Sequence, residues 1–267
     1  MDIKYTPQGW MIYSVIACYL VAFIAAIARR LKLANAVYIL GFIIAVAAFV
    51  YRWIDVKHVP LQNLFEVFLC LGMLIYPLTI FSRRFLRIAS GPAGCADMLI
   101  GAIVLFPAGF VFSAEPQQLP PALQCWLFAP HVAVYMISYM IMAKATFLAM
   151  AQLAGRKPDP NHNLLPYEDA TYRMICIGFP FLTLGLILGS WWGKLAWGDY
   201  WGWDPKELWS LVSWLVYVGY FHFRYMFGKK YAKANSWWAI AGMAAIIITL
   251  LWVNLSRLFP GLHNYAS

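Results

Sequence analysis

Long apolar segments alternate with short polar segments along the whole 267-residue chain. A helix needs about 20 predominantly apolar residues to cross roughly 30 Å of hydrocarbon, and runs of this order recur eight times. The runs lie near residues 10–28, 36–54, 64–82, 95–113, 131–153, 173–190, 208–226 and 237–258. No segment alternates with the two-residue period of a half-buried strand. The pattern predicts an all-α fold, a polytopic membrane helix bundle of eight transmembrane helices that forms a single integral membrane domain over residues 1–267.

The composition favours a membrane protein and excludes most soluble classes. Hydrophobic residues make up 63% of the chain and charged residues only 12%, about half of the roughly 25% that is typical of soluble domains. A formal net charge of +9 would suit nucleic-acid binding in a soluble protein, but basic cytoplasmic loops explain it better in a membrane bundle. The expected partner is therefore a lipid bilayer and no nucleic acid.

Lysine and arginine are unevenly distributed between the two sets of loops. Thirteen of the 20 belong to the loops after the first, third, fifth and seventh spans, six lie on the opposite side, and Lys144 falls within a span. Cytoplasmic loops carry the excess of positive charge. Both termini are therefore predicted to face the outer, extracytoplasmic side.

The most informative segment is an external loop expected at about residues 189–207. Five tryptophans fall within 13 of its residues, separated by glycines. A membrane interface favours tryptophan, but five indicate a platform for a large flat ligand, because aromatic faces match a porphyrin and glycine allows close backbone approach. The expected haem platform consists of Trp191, Trp197, Gly198, Tyr200, Trp201, Gly202, Trp203 and Asp204.

The end of this segment also has the pattern of a helix start. Asp204, Pro205 and Glu207 occupy the N-cap, N1 and N3 positions of a capping box. Asp204 is therefore expected to begin the seventh helix, a role that is compatible with a place beside the platform.

Three histidines are candidate axial ligands of a haem iron. His131 opens the fifth span and His263 follows the eighth, so both are expected at the outer level of the tryptophans. Two imidazoles on opposite faces of a ring can hold haem iron; the alternative for each is a polar surface residue. His222 lies roughly 21 Å below the outer end of the seventh span, where an ionisable residue indicates function or a helix–helix hydrogen bond. No other histidine reaches that depth, so a bis-histidine site there needs a second chain.

Five basic residues are possible contacts of haem propionates. Four are expected on the outer face and one within a span: Arg52, Lys57, Lys194, Lys206 and Lys144. The alternatives are ordinary interfacial charge for the first four and a side chain that extends to the inner interface for Lys144. None of the five cysteines forms a C-x-x-C pair, so any electrons for thiol reduction must come from another protein.

The run WGDYWGWDPKELWSLVSWLVY resembles the tryptophan-rich WWD signature of haem-handling proteins of cytochrome c maturation. The ending PGLHNYA, the early HVPLQNLFE and the eight spans resemble the CcsA (ResC) type membrane subunit of the system II cytochrome c synthase. The similarity covers essentially the whole chain. Within this pattern, Trp191-Trp192-Gly193 departs slightly from the usual start of the motif, so the resemblance assigns no role to Trp192.

The resemblance implies specific roles for the histidines. His131 and His263 match the two external haem ligands, and His222 matches the histidine of an inner transmembrane haem site. The second inner ligand would belong to a CcsB (ResB) type membrane subunit, the partner that this chain lacks.

The resemblance also implies an activity, that of a holocytochrome c synthase (haem lyase) component. Haem b would move from the inner site to the external platform, and its vinyl groups would form thioethers with the C-x-x-C-H thiols of apocytochrome c. A thioredoxin-like reductant would keep those thiols reduced. The implied location is the bacterial cytoplasmic (inner) membrane or the thylakoid membrane, with the active face external or periplasmic.

Other classes remain open at this point. A haem-delivery protein of the same superfamily would bind haem without ligation, although eight spans and the GLHNYA ending favour the synthase branch. A transporter should show inverted repeats, and a respiratory haem subunit should pair His222 with a histidine at similar depth; neither pattern is present. A regulator of haem biosynthesis is a further alternative.

Overall fold

The computed structural model describes residues 3–88, 95–156 and 164–253. These residues form eight α-helices and no strand, which confirms the all-helical prediction. The helices are α1 (Pro7–Ile27), α2 (Leu31–Val56), α3 (Leu64–Leu86), α4 (Cys95–Phe110), α5 (Phe128–Leu153), α6 (Tyr167–Trp197), α7 (Pro205–Phe227) and α8 (Ala232–Ile247). A π-helical turn, Ile248–Trp252, continues α8.

Six of the described helices are long and apolar enough to cross a membrane, so the chain is an integral membrane protein. They are α1, α2, α3, α5, α6 and α8 with its π-helical turn. Helix α4 is apolar but has only 16 residues, and α7 is not among the six. That α4 and α7 also cross the membrane stays a prediction. The outer position of both termini depends on it and stays a prediction too.

The chain divides into two compact units, one up to Leu119 with α1–α4 and one from Pro120 with α5–α8. The expectation of a single membrane domain stays a prediction. Each unit has its own buried side chains and its own polar contacts.

Close backbone approach at glycines organises the first unit. The ring of Tyr19 on α1 lies against Gly41 and Gly101, where an added Cβ would come within 2.7 Å and 2.6 Å of ring carbons. Its hydroxyl donates to the Gly72 carbonyl at 3.1 Å. One tyrosine thus contacts helices α2, α3 and α4 together, which small residues permit in membrane bundles.

The connection from α2 to α3 carries a buried ion pair. The Arg52 guanidinium donates from Nε to Glu66 Oε1 at 3.0 Å and from Nη1 to the Ala114 carbonyl at 2.6 Å, and Arg52 and Glu66 are each 1% exposed. Asn63 caps α3, its side-chain oxygen accepting from the Glu66 N–H at 3.0 Å. The pair therefore holds the end of α2, the start of α3 and the segment after α4 in one arrangement.

In the second unit, α5 packs along α6 and α7 packs along α8. A polar network joins the start of α6 to the end of α7 and the start of α8. Arg224 pairs with Glu168 and lies 3.6 Å from Asp169, Lys229 contacts Asp169 at 2.7 Å, and Asn235 donates to Glu168 at 2.9 Å. These contacts set the register of α6, α7 and α8 at one end.

Candidate functional site

The tryptophan-rich segment is only partly a loop, which corrects the expected boundary of 189–207. Helix α6 continues to Trp197, so Trp191, Lys194 and Trp197 are helical, and the connection to α7 comprises only residues 198–204. Gly198 ends the helix in the left-handed region with a φ of 91°, a conformation that glycine adopts without strain. Runs of apolar residues in the sequence do not show that these residues are helical, because tryptophan at a membrane interface is compatible with both a loop and a helix end.

Hydrogen bonds fix the short connection at both ends. On the α6 side, Ser190 Oγ donates to the Tyr200 carbonyl at 2.9 Å. On the α7 side, the Gly202 and Asp204 N–H groups donate to Glu207 Oε2 at 2.8 Å and 3.2 Å. The predicted capping box at Asp204 is confirmed. Trp203 has a φ of 59°, which is uncommon for a residue with a side chain, and its ring is exposed.

The aromatic residues separate into an exposed set and a packed set. The exposed rings are Trp191, Tyr200 and Trp203, whereas Trp197 and Trp201 are half-buried. Gly198 and Gly202 are exposed and Asp204 is buried.

Trp126, which the sequence reasoning did not select, adds to the exposed set. It is 68% exposed and its ring meets that of Trp191 edge-on, with centroids 5.6 Å apart. It lies 65 positions before Trp191 in the sequence, so no local motif could connect the two.

Trp192 belongs to the packed set and has a structural role. It is 2% exposed, and its Nε1 donates to the Ala122 carbonyl at 2.9 Å. Its ring meets Phe128 at 6.0 Å and Trp197 at 4.7 Å between centroids. Trp192 therefore joins the end of α6 to the start of α5 beneath the exposed rings.

His131 lies at the start of α5, stacked on Trp192 with ring centroids 5.8 Å apart and an angle of 20° between planes. Its Nδ1 lies 2.9 Å from the Gly185 carbonyl oxygen. A carbonyl only accepts, so Nδ1 carries the proton and the neutral ring has its lone pair on Nε2. This tautomer is suited to metal ligation through Nε2.

His222 has the same tautomer in a different setting. It is exposed on α7, and its Nδ1 lies 3.0 Å from the Val218 carbonyl oxygen one turn earlier. Trp214, two turns before it, donates from Nε1 to Thr183 Oγ1 on α6 at 2.9 Å. The Trp214 hydrogen bond thus joins α7 to α6, and the His222 side chain two turns further along α7 is exposed.

Of the remaining histidines, the structure describes only His58. His58 belongs to the first unit; its Nδ1 bonds the Val59 carbonyl at 3.0 Å, and its Nε2 is buried with no hydrogen-bond partner among the described residues. His162 and the candidate ligand His263 lie outside the described residues.

The propionate candidates of the first unit are Arg52 and Lys57. Arg52 is occupied by Glu66 and by main-chain carbonyls, so a propionate would have to compete for a buried guanidinium. Lys57 is exposed and ends α2 with a φ of 61°. Their contact with a propionate stays a prediction.

The candidates of the second unit differ in their surroundings. Lys194 is exposed, donates to the Gly198 carbonyl and lies 5.5 Å above the Tyr200 ring. Lys144 is buried within α5. Lys206 lies at the start of α7, where burial lowers its pKa to about 8 against the opposing effect of the Asp204 carboxylate. Lys194 therefore lies beside an exposed aromatic ring, and Lys206 follows the aromatic connection in sequence, at the start of α7.

The described residues of the second unit fit a haem. The His131 imidazole, with its lone pair on Nε2, stacks on Trp192 near the end of α6. Exposed indole and phenol rings lie at and just after this end of α6. Aromatic faces and a neutral imidazole are the groups that bind a porphyrin and its iron.

Comparison with known proteins identifies the family. The model of the cytochrome c assembly protein family matches residues 33–260. The chain belongs to the cytochrome c assembly protein family. The match includes α3–α8 and nearly all of α2.

This cytochrome c assembly protein has many relatives described as cytochrome c biogenesis protein CcsA. It is 33% identical to that of Chlamydomonas reinhardtii over 80% of this chain and 63% of the relative. Identity to that of Guillardia theta is 32%, over 80% of this chain and 79% of the relative. The Synechococcus protein (strain RCC307) is 30% identical over 82% and 80%. The expected family resemblance is confirmed.

A solved structure, a cytochrome c haem lyase CcmF, has a similar fold, with a TM-score of 0.71 over 94% of this chain. The two share 20% sequence identity, and this cytochrome c assembly protein spans 48% of that chain. The similarity supports the helical fold derived above.

Proposed function

We propose that this protein handles haem in cytochrome c biogenesis. It binds haem b at an external platform in the second unit, with His131 as a ligand of the haem iron. It then promotes thioether attachment of the haem to the C-x-x-C-H thiols of apocytochrome c. His263 is the proposed second external ligand. The observation that carries the proposal is the stacking of His131, in its Nε2 lone-pair tautomer, on the aromatic end of α6.

An inner haem site is proposed at His222. The ring is exposed on α7 with Nδ1 bonded to a carbonyl of its own helix, so its lone pair is on Nε2, the nitrogen that would bind the haem iron. A CcsB (ResB) type membrane subunit is the proposed source of the second ligand, and haem passes from this site to the external platform.

Haem is a substrate in this reaction. Each thiol S–H adds across a vinyl C=C, the sulfur bonding one carbon and the hydrogen the other, so no net oxidation occurs. A thioredoxin-like reductant keeps the client's thiols reduced. The protein binds the haem, orients its vinyl edge and holds it away from water; positioning of this kind supplies much of a rate enhancement. The protein acts as the haem lyase component with its partner subunit.

The proposed topology places the exposed aromatic residues outside the membrane. With eight spans and both termini outside, the connection between α6 and α7 faces the periplasm, or the lumen of a thylakoid. Lys194 lies over the Tyr200 ring and Lys206 lies at the start of α7; both are proposed propionate contacts of the second unit.

The experiment is a reduced-minus-oxidised absorption spectrum with a pyridine haemochrome assay on the purified chain and its His131→Ala, His222→Ala and His162→Ala variants. We expect a low-spin b-type spectrum in the wild type that collapses in His131→Ala and recovers with added imidazole. His162 is the control, because sequence places it in a loop on the opposite side of the membrane. Haem absent from the wild type, with and without its partner subunit, would contradict the proposal.

The same variants test the order of the two sites. Loss of external haem in His222→Ala supports loading from the inner site, and unchanged external haem contradicts that path. Haem binding without covalent attachment to a C-x-x-C-H client, with the partner subunit present, would indicate haem delivery in place of ligation.

A further inference from the structure

The glycines of α6 lie directly under the His131 ring. Gly185 and Gly189 are one turn apart and share a face of the helix. A Cβ added at Gly189 would lie 2.5 Å from Cε1 and 3.0 Å from Nδ1 of His131, whereas non-bonded carbons pack at about 3.5–4.0 Å. The ring can occupy its observed place only because residue 189 has no side chain.

Three further contacts locate the same ring. The Gly185 carbonyl accepts from Nδ1 at 2.9 Å, Trp192 stacks on one face, and Tyr135 meets the ring edge-on with centroids 5.0 Å apart. Tyr135 itself lies against Gly185, where an added Cβ would be 2.8 Å from its ring carbons. The His131 ring is thus held at its edge by a hydrogen bond and against α6 by two aromatic neighbours.

We propose that Gly189 is a positioning residue for His131. The missing side chain at position 189 seats the imidazole so that Nδ1 reaches the Gly185 carbonyl, which fixes the tautomer that presents Nε2. The inference rests on the proposed role of His131 as a haem ligand. Hydrogen-bond partners of ligating histidines set ring orientation, and their loss costs about 10–100-fold in metal affinity.

General helix packing is the competing explanation, because small residues promote close contact of membrane helices. Gly178 provides a control on the same pair of helices. An added Cβ there would meet the side-chain ends of Ile141 and Met142 at 3.0–3.1 Å, and it lies about 16 Å along α6 from Gly189. Loosened packing would affect both glycine positions, whereas positioning of His131 affects only Gly189.

The experiment titrates haem into the purified full chain and its Gly189→Ala, Gly178→Ala and His131→Ala variants, and records the spin state from the absorption spectrum. We expect Gly189→Ala to lose about tenfold or more in haem affinity and to lose the low-spin spectrum, which added imidazole restores. Gly178→Ala should keep the affinity and spectrum of the wild type.

Other outcomes overturn the inference in distinguishable ways. Wild-type binding by Gly189→Ala, with binding lost in His131→Ala, contradicts the positioning role and leaves the proposed function intact. Equal losses in Gly189→Ala and Gly178→Ala indicate packing alone. Unchanged binding in His131→Ala removes both the inference and the external ligand on which it rests.

A double variant decides the matter where Gly189→Ala does not give monodisperse protein. Removing the imidazole in His131→Ala with Gly189→Ala also removes the contact at Cε1. If the double variant is monodisperse, the misfolding of Gly189→Ala is caused by the contact between residues 131 and 189. If the double variant is not monodisperse, the inference is contradicted.

Discussion

At the scale of single residues, main-chain carbonyls determine the chemistry that the histidines can perform. Gly185 bonds His131 and Val218 bonds His222, in both cases at Nδ1. In each neutral ring the lone pair is therefore on Nε2, the nitrogen that would bind a metal. His58 has the same kind of bond but a buried Nε2, so the tautomer alone does not make a ligand.

Lys206 gives a pH-dependent prediction at this scale. Burial lowers its folded-state pKa to about 8, so between pH 8 and the unfolded value near 10.5 the unfolded chain binds more protons. Stability therefore rises with pH across this window. We expect the thermal midpoint in detergent to rise from pH 7.5 to pH 9.5 in the wild type and to rise less in Lys206→Met.

The control for Lys206 is Lys194→Met, which removes an exposed lysine near the same loop. A pH dependence that is equal in the wild type and Lys206→Met would contradict a lowered pKa at this position.

At the scale of elements, polar residues determine where helices begin and how they are joined. The Asp204 box begins α7 directly after the short aromatic connection, and Gly198 ends α6 only six residues earlier. In the first unit, Arg52 and Glu66 join the end of α2 to the start of α3. Helix ends within an apolar bundle are therefore located by a few buried polar contacts.

Breaking the buried pair should destabilise the first unit strongly. Glu66→Leu leaves the Arg52 guanidinium buried without its carboxylate, and the loss of one partner of a buried pair costs about 3–5 kcal/mol. The double variant Arg52→Met with Glu66→Leu should recover part of that loss. Thermal unfolding in detergent measures both.

Asp55 supplies the control for this pair. Its carboxylate lies 3.7 Å from Arg52 and its side chain is 46% exposed, so Asp55→Asn should change the midpoint little, as exposed pairs contribute about 0–1 kcal/mol. A loss in Glu66→Leu no larger than in Asp55→Asn would contradict a structural role for the pair.

At the scale of the whole molecule, length and hydropathy divide the helices into two groups. Six are long and apolar enough to span, whereas α4 is short and α7 carries charges in its first and last turns. The predicted positive-inside topology nevertheless requires α4 and α7 to cross, because the basic loops alternate along the chain only with eight spans.

Topology reporters test this requirement. Alkaline phosphatase should be active when it is fused after Gln118 or Tyr200 and inactive when it is fused after Arg87 or Lys229. A reporter that fluoresces only in the cytoplasm should give the opposite result at the same four positions. The fusions after Arg87 and Gln118 form the pair that encloses α4, and those after Tyr200 and Lys229 form the pair that encloses α7. Equal behaviour within a pair would show that the enclosed helix does not cross the membrane.

The amino-acid sequence by itself determined the features that depend on local pattern. Apolar runs located all eight helices, because burial in hydrocarbon requires a continuous apolar segment. The Asp204 box and the family were likewise readable, since both depend on residues adjacent in the chain. The positions of His131 and His222 near a helix start and far along a helix followed from the same runs.

Tertiary structure decided the contacts between distant positions. The contacts of Trp126 with Trp191, Trp192 with Ala122, Arg52 with Glu66 and His131 with Gly189 join residues 14 to 70 positions apart. Side-chain periodicity does not specify which helix faces meet, because lipid and protein neighbours are equally apolar. The extension of α6 to Trp197 also depended on these contacts, since Trp192 is anchored by Ala122 from another element.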